Sequence, residues 1–444
     1  MGRCISLPPV SDEELEKIAT RRTEEEKTYV IKLITPMYGG GVVAGVVDEE
    51  MPVRATSIRG HLRFWWRLLY GLKLSLNDMK EEEAAIFGST QSASKIALKV
   101  GMPDTCLSLR PMASIEERQE QDGKKKKRIV FEKGKEKLQY AIFPFQGKIG
   151  KRGEPDVAPS LALVNAEFEL LLSFSPKLSD VQREQVLNSL HGWINFGGLG
   201  ARTRRGCGAL YSKDCAVERA ENISSLLSGA PGIETVLMGN VKDDAESAWR
   251  EMVDLMKQFR QGEEIGRNKG DKMPGRSRWP EPDTIRRRVE AHLGRHAPAM
   301  QVEGFPRAKL GMPIIFHFKD SDFGGKSKPD MDPIDTCLRP ESSSRMASPV
   351  LLSPVKLKNG KVIPVIIFLK TGPLGKLLLE RSDKEGAYPI SVEQIVNPKF
   401  ASYDKSPMGK PERDSSKDKR SSKGDALEAF MAYLKEKDYK KVSL

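Results

Sequence analysis

At 444 residues the chain has room for about two to four domains, each large enough to bury a core of its own. Lys and Arg number 73 against 61 Asp and Glu, a formal charge of +12 with a pI near 9.3; this favours polyanionic partners. No run approaches the roughly twenty apolar residues a bilayer-spanning helix needs, so membrane insertion by helices is excluded.

In chain order, a charged leader (1–27) precedes YVIKLITP (29–36), which reads as a buried strand leaving through the loop MYGGG. SIRGHLRFWWRLLYG (57–71) has helical periodicity, with Ser57 as expected N-cap and Gly71 as stop. KIALKVG (95–101) and AEFELLLSF (166–174) read as strands, and LSDVQREQVLNSLHGWINF (178–196) as an amphipathic helix. The stretch NFGGLGARTRRGCGAL (195–210) then leads into a short strand, GALYSK (208–213). Strand, helix, strand, strand, helix, strand is the split βαβ pattern, with two helices on one face of an antiparallel sheet. The charged insertion at 116–137 reads as a solvated hairpin or a partly disordered loop.

A second unit is expected from residue 219 to 444. Helices are predicted at 245–259 and 285–296, a strand at 312–320, and a hairpin over 348–371 about the turn Asn359–Gly360. A flexible stretch at 406–425 precedes a final helix at 426–437.

Several chemistries fail on spacing. Gly200 and Gly206 enclose five residues and Cys207 follows, so no Walker A loop forms. Thr203 stands where GxGxxG needs its third glycine, and the loop leaves a helix instead of opening one. Cys4, Cys106, Cys207, Cys215 and Cys337 form no CxxC pair, which argues for a reducing compartment, and the chain is expected to be cytoplasmic. His292 and His296 read as part of a solvated basic helix, and Asp320, Asp322, Asp330 and Asp332 as a solvated loop; no metal or cofactor is expected. His61 falls between Trp65 and Leu68 on the apolar side of its helix, as a packing residue more than a general base.

Two cationic elements remain. Arg59, Arg63 and Arg67 repeat every four residues and share one helix face, with no carboxylate between Ala55 and Leu76 to pair with them. The glycines of 195–208 permit positive φ and close backbone approach, while Arg202, Arg204 and Arg205 add charge. Stripe and loop together are expected to line a trough for a single-stranded polyphosphate, beside a flexible glycine hinge.

The GGG-containing first loop, the helix SIRGHLRFWWR and the late NFGGLGARTRRGCG together resemble the RAMP superfamily of CRISPR RNA-binding proteins, whose glycine-rich loop the last stretch matches. IRGHLRFWWR, IFGSTQSASKIALKV, FPRAKLGMPIIFHF (305–318) and RMASPVLLSPVKL (345–357) resemble, within it, the first-subunit family of the Cmr (type III-B) effector complexes. The resemblance implies an α+β chain of two ferredoxin-like (RRM-like, split βαβ) domains with charged insertions, at 28–218 and 219–444. It implies no catalytic role, a place by the 3′ portion of the CRISPR RNA, help in capturing target RNA, and other Cmr subunits as partners. Arg59, Arg63, Arg67, Gly197, Gly198, Gly200, Arg202, Arg204 and Arg205 would then touch RNA in the first domain, and Arg307, Lys309 and Arg345 in the second. The insertion at 116–137 and the tail at 402–425 stand outside the family pattern. A metal-independent CRISPR RNA-processing endonuclease of the same superfamily is the alternative, and a scaffold whose basic face meets acidic subunits is a third.

Overall fold

A computed structural model of the chain describes residues 25–102, 107–119, 125–150, 154–263, 265–267, 276–288, 297–298, 304–318, 332–381, 387–390 and 426–444. Most of the leader, the tail at 402–425, Cys4, Cys106, His292, His296, Asp320, Asp322 and Asp330 lie outside those residues. The chain is α+β.

The first unit opens with β1 (Glu25–Leu33), whose Tyr29, Ile31 and Leu33 point inward on a period of two. After a loop come α1 (Ala55–Leu69), α2 (Leu76–Phe87) and β2 (Ile96–Gly101). An excursion holds β3 (Leu109–Pro111), β4 (Ala113–Gln119), β5 (Lys125–Phe131), α3 (Gln139–Ile142) and β6 (Leu161–Leu163). The chain returns through β7 (Glu167–Phe174), α4 (Asp180–Phe196) and β8 (Leu210–Tyr211). The sheet runs β2–β7–β1–β8, antiparallel throughout, so the connectivity is that of a split βαβ sheet. Ile58, Leu62 and Trp65 of α1 and Val186, Leu190 and Trp193 of α4 bury against Ile31, Phe168 and Leu170 of the sheet.

Local signals explain most of the boundaries. Ser179 and Gln182 form a reciprocal capping box at the start of α4, and the Ser75 hydroxyl accepts from Asp78 N at 3.2 Å to start α2. Ser57 is not the N-cap of α1: the helix begins two residues earlier, and the Arg54 carbonyl accepts from Ser57 N and Ile58 N. The charged insertion forms the β4–β5 hairpin over its described part, with Glu116 facing Arg128 and Glu117 facing Lys127.

The second unit contains α5 (Asn222–Leu227), β9 (Ile233–Met238), α6 (Ala245–Gln261), α7 (Glu281–Arg288), β10 (Ile314–Phe316) and β11 (Thr336–Pro340). It continues with β12 (Val350–Lys356), β13 (Val362–Leu369), β14 (Leu377–Arg381), β15 (Ala387–Ile390), α8 (Ala426–Lys435) and β16 (Lys440–Lys441). β12 and β13 are the predicted hairpin, with Lys356 opposite Val362 and Gly360 at φ 87° in the turn. Its sheet runs β12–β13–β9–β16, again antiparallel. With α6 after β9 and α8 before β16, the chain repeats the split βαβ connectivity. A further sheet, β10–β11–β14–β15, comes from segments inserted before β12 and after β13, and closes its own core around Phe305, Leu338 and Leu379.

Every residue of β13 is buried. Ile363, Val365 and Ile367 turn toward the first unit's core, while Ile366 and Phe368 turn toward α6 and α8. Burial on both faces explains why VIPVIIFL is continuously apolar where a one-sided strand would alternate. It also places the start of β12 beside the glycine–arginine loop, where Ser353 Oγ donates to the Phe196 carbonyl at 2.8 Å.

Candidate nucleic-acid interface

The arginine stripe stands on one side of α1, as its spacing predicts, but it is not free of acids. Arg67 Nη2 donates to Glu83 Oε1 at 2.8 Å and its Nε donates to Glu83 Oε2, while Arg63 Nε lies 3.6 Å from Oε1. The hydrogen bonds from Arg67 to this carboxylate hold its guanidinium above the usual arginine range. Arg63 also donates to the carbonyls of Phe87, at 3.1 Å, and Gly88, where the negative end of α2 needs donors. The expectation of an unpartnered stripe is therefore corrected: its acid comes from the next helix, on the buried Glu83. Arg59 alone among the three has no ion pair among the described residues, and its Nε is buried without an acceptor.

The glycine loop is pinned and not a flexible hinge. Leu199 N donates to Gly208 O, Gly208 N to Pro36 O, and Ala201 N to Tyr38 O, at 2.9, 2.9 and 2.6 Å. Thr35 Oγ1 donates to Gly206 O at 2.7 Å and accepts from Ala209 N at 2.8 Å. Gly200 sits at φ 77°, and a Cβ there would meet the Tyr38 carbonyl at 2.3 Å. The loop is thus a rigid shelf fastened to the residues that follow β1.

Between α1 and this shelf lies a cavity of about 410 Å³. α1 contributes Ser57, Gly60, His61, Phe64 and Trp65 to its wall. The end of α4 and the loop contribute Phe196, Gly197, Gly198, Thr203 and Arg204, and β12 adds Leu351. None of the stripe arginines lines it, so stripe and loop do not form one trough.

The loop arginines differ from the stripe in their partners. Arg204 lies over the Phe64 ring, 5.4 Å from its centroid, and donates to the Ser348 carbonyl. Among the described residues the Arg205 guanidinium reaches only the Ser348 hydroxyl, at 3.4 Å, and the Trp249 indole donates to the Arg205 carbonyl at 2.6 Å. Burial pushes the Arg205 guanidinium down to about 10, with Arg260 of α6, Arg202 and Arg204 acting in the same direction. It stays cationic at neutral pH. Arg202 is a bracket: it donates to the carbonyls of Ala141 and Tyr140, at 2.8 and 3.0 Å, and holds α3 in place. Arg204, Arg205 and Arg260 have no carboxylate partner among the described residues.

His61 stacks on Trp193, with centroids 5.8 Å apart and planes within 12°. It packs as the sequence suggests, and it also faces the cavity. Burial pushes its pKa down to about 4, so the imidazole is neutral at pH 7. The unfolded chain protonates this ring near pH 6.5 and the folded chain only near 4. Stability is therefore expected to fall as pH drops through that window, by up to about 3 kcal/mol from this group. Urea midpoints between pH 7 and 4.5 should show a shallower decline in His61→Phe than in the parent chain; equal slopes would refute the assignment.

The second-unit candidates are mostly occupied. Arg307 is held by Glu281, with its backbone N at 2.9 Å and Nε at 3.1 Å from Oε1, and packs on Trp279. That makes it a structural tie and not a free RNA contact. Lys309 is half-buried and engaged within the chain, whereas Arg345 is exposed. Asp332 is not solvated: it is buried and accepts from Arg286 Nε at 2.8 Å. The same pairing buries Arg286, so the described part of the basic helix is not a solvated face. Among the described residues no group of three or more His, Cys, Asp or Glu side chains is placed to hold a metal ion, and no helix is long and apolar enough to cross a membrane.

Ser348, Leu351 and Arg260 complete the site and escaped the sequence reading. Only RMASPVLLSPVKL, noticed as a block, hinted that the second unit reaches the loop.

Residues 30–211 match the RAMP superfamily. Over 191 residues the chain is 28% identical to the CRISPR system Cmr subunit Cmr1-2 of Pyrococcus furiosus, a match covering 42% of this chain and 94% of that protein. Among solved structures, it is similar to the apo crystal structure of Cmr1 from Pyrococcus furiosus (16% identity, 79% of this chain and 89% of that one, TM-score 0.41). It is also similar to a chain of type III-B Cmr-beta bound to cognate target RNA and AMPPnP in the presence of ssDNA (14%, 78% and 95%, TM-score 0.39). Likenesses at those TM-scores carry no weight for the site.

Proposed function

We propose that the chain is a non-catalytic, RNA-binding component of a type III-B CRISPR effector complex. In this reading it is built on two ferredoxin-like units, assembles with other Cmr subunits, binds near the 3′ portion of the CRISPR RNA and helps capture target RNA. The match of residues 30–211 to the RAMP superfamily and the similarity to a Cmr subunit support the setting. The observation that carries RNA binding is the set of guanidinium groups, Arg204, Arg205 and Arg260, gathered at the shelf without a carboxylate partner among the described residues. Mutual repulsion and lost hydration make such a cluster costly, and a phosphate backbone would relieve both. Arginine forks suit phosphates at no particular sequence. The full chain should bind single-stranded RNA with an affinity that falls steeply with salt, by a log–log slope of about −2 for three phosphates on a single strand. Fluorescence anisotropy across a salt series measures this; absent or salt-insensitive binding would end the proposal.

His61 supports one second reading, a metal-independent endonuclease that processes CRISPR RNA, because its neutral ring faces the cavity. A base titrating near 4 is far from the operating pH that efficient proton transfer favours, so binding is the better reading. Incubation with repeat-containing RNA in EDTA separates them: specific cleavage lost in His61→Ala would establish the nuclease.

A further inference from the structure

The cavity between α1 and the shelf has features that phosphate binding does not require. Its wall is aromatic, with Phe64, Trp65 and Phe196 beside the imidazole of His61. The Phe64 and Trp65 rings meet edge to face, 5.9 Å apart, and Arg204 covers Phe64 with a planar guanidinium. Ser57, Thr203 and His61 line the same space, and their side chains have no hydrogen-bond partner among the described residues. Flat apolar walls with a few converging polar groups suit a flat, polar-edged ligand, and about 410 Å³ is a small-molecule volume.

Gly60 gives the second observation. It lies in the middle of α1, exposed, where glycine is a poor choice for a helix. Nothing in the described fold requires it, because a Cβ there would meet no atom of the described residues within 4 Å. One turn from Ser57 on one side and from Phe64 on the other, it keeps the mouth of the cavity open.

We infer that this cavity receives one unpaired nucleobase of a bound RNA strand, stacked on Phe64 and the Arg204 plane, with its edge read by Ser57, Thr203 and His61. The inference rests on the RNA-binding reading and adds a base-dependent site to a backbone-dependent one. Stacking on aromatic and guanidinium planes is tolerant of base identity. Charge favours this occupant, since Arg204 borders the cavity with Arg205 next to it in the chain, neither with a carboxylate partner among the described residues, and the backbone attached to the base would lie against them.

The test compares a uridine decamer with a decamer of the same ribose–phosphate backbone lacking every base, each titrated against the full chain by anisotropy. The uridine strand should bind about tenfold more tightly. Phe64→Ala and Gly60→Leu should each bring that ratio to within about twofold of one. Gly60→Leu fills the mouth while favouring the helix, so it stands even where Phe64→Ala fails to fold. Equal binding of both decamers by the parent chain would overturn the base site and leave the RNA reading intact, as would a ratio that survives Gly60→Leu. Binding of neither decamer would overturn the RNA reading itself.

Discussion

Gly208→Ala is expected to destabilise the chain by about 3–4 kcal/mol, whereas Gly229→Ala should cost only about 1. Both glycines have positive φ, 65° and 69°, so both substitutions carry the same backbone penalty. They differ in surroundings. A Cβ on Gly208 would lie 2.0 Å from the Leu199 carbonyl, and the backbone would have to move. That movement strains the bonds from Leu199 N to Gly208 O and from Gly208 N to Pro36 O, which fasten the shelf. Each buried backbone bond lost adds roughly 1 kcal/mol or more. A Cβ on Gly229 meets nothing within 4 Å among the described residues. Urea unfolding of the two variants at pH 7 measures the difference, and equal midpoints would show that the loop is not the pinned shelf described.

Glu83→Ala should cost about 2–3 kcal/mol. Removing one partner of a fully buried ion pair costs about 3–5 kcal/mol, because the remaining charge is stranded. Here the Arg63 and Arg67 side chains stay 32% and 48% exposed and can recover some hydration, which lowers the figure. The comparison is Glu218→Ala, whose ion pair with Lys358 lies on the surface at 2.8 Å and should contribute nothing measurable. Thermal or urea unfolding reads both. A Glu83 variant as stable as the parent would mean that the stripe does not depend on this carboxylate.

The first unit is legible in the sequence because each element announces itself by period and cap. YVIKLITP alternates, and the helix at 180–196 opens on a serine with a glutamine three residues on. α2 is not legible, because LNDMKEEEAAIF buries only Glu83, Ile86 and Phe87 and otherwise reads as a polar run. That omission misdirected the reading of the stripe. Spacing along one helix shows which arginines share a face, but the acid that meets them belongs to another helix and is set by packing. The sheet β10–β11–β14–β15 is hidden for a related reason: its strands are three to five residues long and come from two separate insertions. β9, the central partner of β13, is a six-residue strand whose burial depends on the hairpin arriving more than a hundred residues later. In the site, the glycine–arginine loop could be read directly. Ser348, Leu351 and Arg260 could not, since they come to it only when the second sheet packs against the first unit.

The most direct measurement sets two arginine groups against each other in the same RNA-binding assay, at equal fraction folded. Arg204→Ala, Arg205→Ala and Arg260→Ala combined should weaken single-stranded RNA binding at least tenfold at moderate salt and flatten the salt dependence by about two in log–log slope. Arg63→Ala with Arg67→Ala should lose stability yet keep both affinity and slope. Loss of RNA affinity in the second pair, with the first group unaffected, would return the polyphosphate to the outer face of α1 and contradict a trough at the shelf.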